Sequence, residues 1–201
     1  MALRPTKTFL FIKVSENLKY IKKKVGIDFA CGDGKNSIHF KTKKYIGIDK
    51  DKKILEVAKK RYPKHSFKKE NIVNFNCKKY SSDVVLSTNT FEHINPKLRK
   101  KAFRNLINIV KKNGVFIIDS NRDHLLNFKI KELHKNFAAI KLIFFRNHIN
   151  FMIENFYLKN NFLYFFFRFS GIITLLTYME YLTSRIKFFN KSVLIIAKNK
   201  R

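Results

Sequence analysis

Between Val25 and Asn121 short β-rich runs alternate with segments of helical period, and this alternation restricts the fold more than any other feature of the chain. Strand, helix and strand in succession close most readily into a parallel sheet of βαβ units. The predicted strands are Lys24 to Ala30, Lys44 to Asp49, Ser66 to Lys69, Asp83 to Ser87 and Val115 to Asp119. One predicted helix runs from Asp51 to Arg61, with Asp51 as its N-cap and Ile54, Leu55, Val57 and Ala58 turned to the sheet. A second runs from Pro96 to Val110. Asn95 caps it, Pro96 suits its first position, and Leu98, Ala102, Phe103, Leu106 and Ile109 or Val110 recur with helical spacing. Lys111-Lys112-Asn113-Gly114 reads as its stop, the basic groups facing the helix dipole and Asn or Gly turning left-handed.

After Asn121 the pattern changes to a helix over Ile130 to Asn136, a strand-like run Ala139 to Phe145 and a last β run Ser192 to Ala197. Residues 150–187 between the two runs read as helical. Their middle, Phe162 to Leu182, is nearly all apolar, rich in Phe and close to the roughly 20 residues of a membrane span. Arg168, Glu180 and Ser170-Gly171 interrupt it, so the expectation is a helix or two packed on the domain. The alternative is an in-plane interfacial surface with Arg168, Arg185 and Lys187 near lipid headgroups. Without repeats or a flexible linker, residues 1–201 read as one domain: a short N-terminal extension 1–24, a core 25–121 and a C-terminal part 122–201.

With 45% hydrophobic residues, 201 residues can bury a core without metals or disulfides. Cys31 and Cys77 are too few for a disulfide framework and lie in no paired zinc spacing. The first residues lack an apolar stretch of signal-peptide length, and the chain reads as cytoplasmic, with peripheral contact at the inner face of a membrane as a further expectation. The net charge of +29 is spread evenly: 16 basic against 6 acidic groups in residues 1–60, 13 against 4 in 61–119 and 14 against 4 in 120–201. No arm or tail concentrates it, so the basicity reads as a solvated surface in a Lys-, Asn-, Ile- and Phe-rich composition. It still makes phosphates and anionic headgroups accessible partners.

The first strand runs into a glycine turn, Asp28-Phe29-Ala30-Cys31-Gly32-Asp33-Gly34. Gly32 and Gly34 let the backbone turn tightly and approach a ligand, while Asp28 lies near the carboxyl end of the strand, where open α/β sheets bind ligands. Tyr45-Ile46-Gly47-Ile48-Asp49 ends the next strand with a carboxylate 17 residues after Gly32, able to accept hydrogen bonds from ribose hydroxyls. Asp28, Asp33, Asp49 and Asp51 fall within 24 residues of a chain poor in acids, a placement suited to a ligand with an ammonium and a sulfonium group. For Asp51 the helix cap suffices, and Asp33 reads equally as a turn residue or a ligand.

These residues resemble the class I, Rossmann-like S-adenosylmethionine-dependent methyltransferases, particularly their small-molecule branch. Asp28 to Gly34 looks like the family's first motif and Asp49 like its ribose-binding acid. Ser87-Thr88-Asn89-Thr90-Phe91-Glu92-His93-Ile94 resembles the loop after strand four, where that branch often carries an acid and a His. Val110 to Ile118 resembles the helix end, turn and fifth strand. The resemblance implies an α/β fold, a seven-stranded mostly parallel sheet between helices with the last strand antiparallel and the Phe-rich helical segment inserted. It implies S-adenosyl-L-methionine as cofactor, held by Asp28, Ala30, Cys31, Gly32, Gly34, Asp49, Lys50, Asn71, Ile72, Ser87 and Thr88. Asn71 stands where the family commonly has an Asp for the adenine amino group, with Glu70 as the neighbouring substitute.

Methyl transfer needs proximity and orientation, and a base only where the acceptor must lose a proton. His93 is the candidate base, with Glu92 beside it and His124 in reserve; the alternative for His93 is a structural or substrate-lining role. Cys31 reads as a small packed residue beside the cofactor. The implied function is methylation of a small-molecule or lipid-linked acceptor. RNA methylation, suggested by the charge, and a non-catalytic binding scaffold are the alternatives. Against RNA, the loop after strand four lacks the Asn or Asp followed by Pro-Pro and an aromatic residue that clamps a flipped base.

Overall fold

The computed structural model describes residues 4–19, 21, 24–121, 130–169, 171–186 and 189–200. Strands β1 (Val25–Phe29), β2 (Lys44–Asp49), β3 (Ser66–Lys69), β4 (Ser82–Ser87), β5 (Val110–Asn121), β6 (Phe137–Asn147) and β7 (Asn190–Asn199) form one sheet. Their order is β3-β2-β1-β4-β5-β7-β6. The pairings from β3 across to β5 are parallel, and β7 runs antiparallel between β5 and β6. The seven-stranded sheet with an antiparallel last strand is therefore what the chain forms. Strands β1 to β3 lie to one side and β4 onward to the other, which opens a crevice beyond the carboxyl ends of β1 and β4.

Helices α1 (Pro5–Leu18), α2 (Lys52–Arg61), α3 (Pro96–Asn108), α4 (Ile130–Asn136), α5 (His148–Tyr157), α6 (Asn161–Phe169) and α7 (Ile172–Thr183) flank it. Because side chains alternate across a strand, one face of the sheet presents Phe29, Ile48, Val85 and Phe116 to Phe103 and Leu106 of α3 and Leu133 of α4. The other face presents Val84, Leu86, Ile117 and Leu194 to Phe9, Leu10, Val14 and Leu18 of α1.

Three elements depart from the sequence expectation. The extension is a 14-residue helix, α1, started by Pro5 at its first turn and fixed by its buried apolar stripe. The glycine turn leads into a 3₁₀ turn, Lys35–His39, rather than an α-helix, because few residues separate it from β2. Helix α3 stops at Asn108, and Val110 already pairs with Ser82, so Lys111 to Gly114 belong to an irregular start of β5. Asn113 supplies the expected left-handed turn there at φ 58°. Asp51 caps α2 as read, its Oδ1 accepting the Lys53 N–H at 2.8 Å and the Ile54 N–H at 3.4 Å. The Phe-rich segment forms two helices, α6 and α7, divided at Gly171 with φ 72°. No helix among the described residues is long and apolar enough to cross a membrane.

Candidate active site

The turn after β1 is left-handed at three places: Ala30 at φ 56°, Gly32 at φ 53° and Gly34 at φ 79°. For Ala30 this conformation costs on the order of 1 kcal/mol, so the surroundings must hold it. Asp49 does much of that. Its Oδ2 accepts the Gly32 N–H at 2.9 Å and its Oδ1 the Asp51 N–H at 3.0 Å, so the end of β2 clamps the end of β1. Asp33 serves the turn: it pairs with Lys35 at 3.0 Å and with Arg61 at the end of α2.

Beyond this turn opens a cleft of about 590 Å³, a size that suits a small organic ligand. Of the anticipated residues, Ala30, Asp49, Lys50, Asn71, Ile72 and His93 line it, together with Ile54, Glu70, Asn89 and Leu98. Asn71 uses its Oδ1 to accept the Val73 N–H at 2.9 Å and close a turn. Glu70, beside it, accepts the Tyr80 hydroxyl at 3.3 Å.

Asp28, Cys31, Gly32, Gly34, Ser87 and Thr88 are not among the residues that line it. Asp28 is wholly buried, its Oδ2 accepts the Tyr45 hydroxyl at 3.0 Å, and its Oδ1 has no partner among the described residues. Desolvation pushes the carboxyl up to about 7 against the pull of the Tyr45 hydrogen bond. Burial likewise raises the Cys31 thiol and leaves it inert, in keeping with a packed residue. The Ser87 hydroxyl donates to Thr90 Oγ1 at 2.9 Å, the Thr90 hydroxyl to the Thr88 carbonyl at 3.0 Å, and Asn36 Nδ2 to Thr88 Oγ1 at 3.2 Å. This network sets the loop after β4.

A second cavity, about 250 Å³, lies against the first, and Asn89 and His93 stand on the walls of both. Glu92 and Asp119 line it, as do Arg4 just ahead of α1, Thr6 and Lys7 from α1, and Arg146 and Glu154 from the C-terminal part. Helix α1 thus forms one wall of this cavity. Glu154 accepts the Thr6 N–H and hydroxyl at 2.8 Å, satisfying a free donor at the start of α1. Glu180 of α7 accepts the Arg146 N–H at 2.7 Å and Asn150 Nδ2 at 2.8 Å, while α5 itself is capped by Asn147 Oδ1, which accepts the Asn150 N–H at 2.8 Å.

Asp119 is the residue that sequence reasoning missed, treating it only as the end of a strand. The rule that singles out Asp49, a carboxylate at the carboxyl end of a central strand, applies to it equally. Asp119 is 3% exposed, and desolvation pushes its carboxyl up to about 7. The reserve base His124, like Lys187 and the side chain of Arg168, lies outside the described residues. Among the described residues, three of the four non-glycine residues with positive φ, namely Ala30, Asn89 and Arg146, line these two cavities, a concentration of strain typical of functional sites. No cluster able to hold a metal occurs among the described residues.

Residues 27–114 match the family model described as a methyltransferase domain. The 235L protein of Invertebrate iridescent virus 6, whose name gives it provisionally as a methyltransferase, is 32% identical over 129 residues, covering 59% of this chain and 47% of its own. The chain thus spans about half the length of that curated relative. Among solved structures, the methyltransferase domain of bacterial CtHen1-C superposes with a TM-score of 0.65 at 13% identity, covering 98% of this chain and 100% of its own. The N-methyltransferase NodS of Bradyrhizobium japonicum, solved with S-adenosyl-L-homocysteine, gives 0.63 at 11% identity over 97% of this chain and 86% of its own. A Haemonchus contortus phosphoethanolamine N-methyltransferase, solved with S-adenosyl-L-methionine, gives 0.60 at 13% over 96% and 52%. At these identities the structures establish the fold.

Proposed function

We propose, from the premise that this chain carries a methyltransferase domain on a class I methyltransferase fold, that it transfers a methyl group from S-adenosylmethionine to a small-molecule acceptor. The observation that carries this is the pair of adjoining cavities with Asn89 and His93 on both walls, one for a donor and one for an acceptor. The larger cleft suits the cofactor. Asp49 has lone pairs left beyond its two backbone donors to accept ribose hydroxyls, the left-handed turn brings backbone close to the ligand, and Ile54, Ile72 and Leu98 offer apolar contact to a base. Glu70 takes the adenine amino group, since the Asn71 oxygen already closes a turn.

When bound, the cofactor supplies an electrophilic methyl carbon on a sulfonium. The chain orients the acceptor nucleophile toward the shared wall and excludes water there. Where the acceptor must lose a proton, His93 receives it, and Asp119, titrating near neutrality, is the nearby second acceptor. Calorimetry of S-adenosylmethionine and S-adenosylhomocysteine, with NAD as control, tests the reading. Asp49→Ala should weaken binding by about tenfold, 1.4 kcal/mol. Binding to neither compound leaves a scaffold without the activity.

The acceptor class is narrowed by the surface of α5, α6 and α7, and we read it as lipid-linked. Large apolar side chains stand exposed at one-face spacing on each helix: Ile149, Met152 and Phe156, then Phe162, Phe165 and Phe166, then Leu175, Tyr178 and Leu182. The two acids of these helices, Glu154 and Glu180, are buried, whereas Lys159 and Arg185 are exposed. An apolar face free of negative charge and edged with basic groups suits the in-plane surface of an anionic membrane. Flotation with anionic vesicles at low salt should recover the protein, and Phe165→Ser with Phe166→Ser should release it. Absence of vesicle binding, or a dimer that hides this face, overturns the lipid reading.

A further inference from the structure

The smaller cavity holds a charge arrangement that methyl transfer by itself does not call for. Arg4, Lys7 and Arg146 line it half-buried, unlike most basic residues of the chain, and among the described residues none of the three side chains has a hydrogen-bond or ion-pair partner. Arg99 makes the contrast: its buried guanidinium donates to the Ile94 and Glu92 carbonyls. Among the described residues the acids of the cavity form no ion pair with these cations, although Glu154 acts on Lys7 and Arg146 on Asp119 through charge. Both Glu154 oxygens accept from Thr6, Asp119 accepts the Asn89 N–H, and Glu92 is exposed.

Arg146 is also held against its backbone preference. Its φ is 63°, and the buried Glu180 fixes it there by accepting its N–H, while its guanidinium lies over the Phe151 ring at 4.9 Å. Such strain in a non-glycine residue persists only where the surroundings enforce it. Lys7 bears the cost of the cluster: desolvation, then repulsion from Arg4, Lys35 and Arg146, lowers its pKa, and Glu154 opposes this only in part. A bound anion would reverse each of these repulsions.

We propose that Arg4, Lys7 and Arg146 form a binding site for an anionic group, a phosphate or carboxylate, carried by the acceptor. Its role in catalysis rests on the methyl-transfer reading; its existence does not. The site places the negative group of the acceptor against α1 and Arg146, and leaves the wall of Asn89 and His93 to the atom that receives the methyl group.

The test titrates the full-length protein with inorganic phosphate, acetate as the second probe, and follows binding by calorimetry. Saturable one-site binding should weaken by about tenfold in Lys7→Gln/Arg146→Gln. It should stay unchanged in Lys52→Gln/Lys97→Gln, which removes two exposed cations from α2 and α3. Arg4→Gln, a change with no side-chain bond to lose, serves as the second variant and should also weaken it. S-adenosylhomocysteine affinity, measured in parallel, should not move in any variant. Phosphate binding that is equal in the cavity and surface variants overturns the proposal. Phosphate binding as described without S-adenosylhomocysteine binding sustains it and overturns methyl transfer instead. Phosphatidylcholine vesicles with and without phosphatidic acid separate the sources of the anion. Cavity variants that lose only the phosphatidic acid response assign it to a lipid headgroup, and loss of only the free phosphate response assigns it to a soluble acceptor.

Discussion

Asn89, at φ 51°, donates its backbone N–H to the buried Asp119 carboxylate at 2.6 Å, and so ties the loop after β4 to the end of β5. The bond fixes the one wall that both cavities share. It also keeps at the carboxyl edge of the sheet a buried acid whose protonation changes near neutral pH.

That acid makes folding stability depend on pH with a definite sign. Desolvation raises the Asp119 carboxyl from its ordinary 3.8 to about 7. Between these values the native state keeps a proton that the unfolded state has lost. The contribution is therefore complete below 3.8 and is lost as pH rises through 7, about 4 kcal/mol in all for three pK units. Thermal melts from about pH 5 to pH 8 should show wild type losing stability relative to Asp119→Asn as pH rises. Parallel curves would mean that the acid is not buried as described.

Removing the carboxylate that caps α1 should loosen that helix before anything else. Glu154→Ala leaves the Thr6 N–H and hydroxyl without their acceptor, at a cost of about 1–2 kcal/mol. Hydrogen exchange should speed up in residues 5–18 while β1 and β4 keep their protection. Glu154→Gln, which retains an oxygen, should lie between the two. Uniform acceleration across the sheet contradicts this.

Two glycine substitutions separate crowding from backbone strain. A Cβ at Gly47 would stand 2.6 Å from Phe67 and 2.9 Å from Cys31 Sγ, whereas one at Gly171 meets nothing within 4 Å but takes φ 72°. Gly47→Ala should therefore cost about 1–3 kcal/mol through overpacking. Gly171→Ala should cost about 1 kcal/mol through conformation alone. Urea melts decide, and the reverse order would refute the packing drawn around Gly47.

His93 should matter for turnover and not for cofactor affinity. If it takes the acceptor proton, His93→Gln slows methyl transfer by about 10²–10⁴ and leaves S-adenosylhomocysteine binding in place. A loss of affinity instead would assign His93 to the donor cleft.

The sequence made the sheet legible because hydrophobic period and cap chemistry act locally. Asp51 sits just where a cap must, and Asn113 takes a left-handed turn as read, though within the start of β5 rather than at the end of α3. Helix α1 was hidden because the stripe that fixes it, Phe9, Leu10, Val14 and Leu18, gains its meaning from a sheet it meets only in space. Among site residues, Asp49 is marked by its position at a strand end. The use of the Asn71 oxygen by Val73, the seclusion of Asp28 behind Tyr45, and the convergence of Arg4, Lys7 and Arg146 arise from tertiary placement that no local pattern encodes.

The two buried glutamates impose an order on how the molecule is made. Glu180 of α7 holds the backbone just ahead of α5, whose own cap is Asn147, and α1 receives its cap from Glu154 of α5. Helix α1 is thus seated by a residue 148 positions later. At about 5–20 residues per second, roughly 7 to 30 s pass before its partner exists. Strands β4 and β5, whose face α1 covers, are already made by then, so the helix can lie on the sheet before its cap arrives. The Arg146 side of the smaller cavity, held by Glu180, is therefore completed only after every residue that lines the larger cleft has been made.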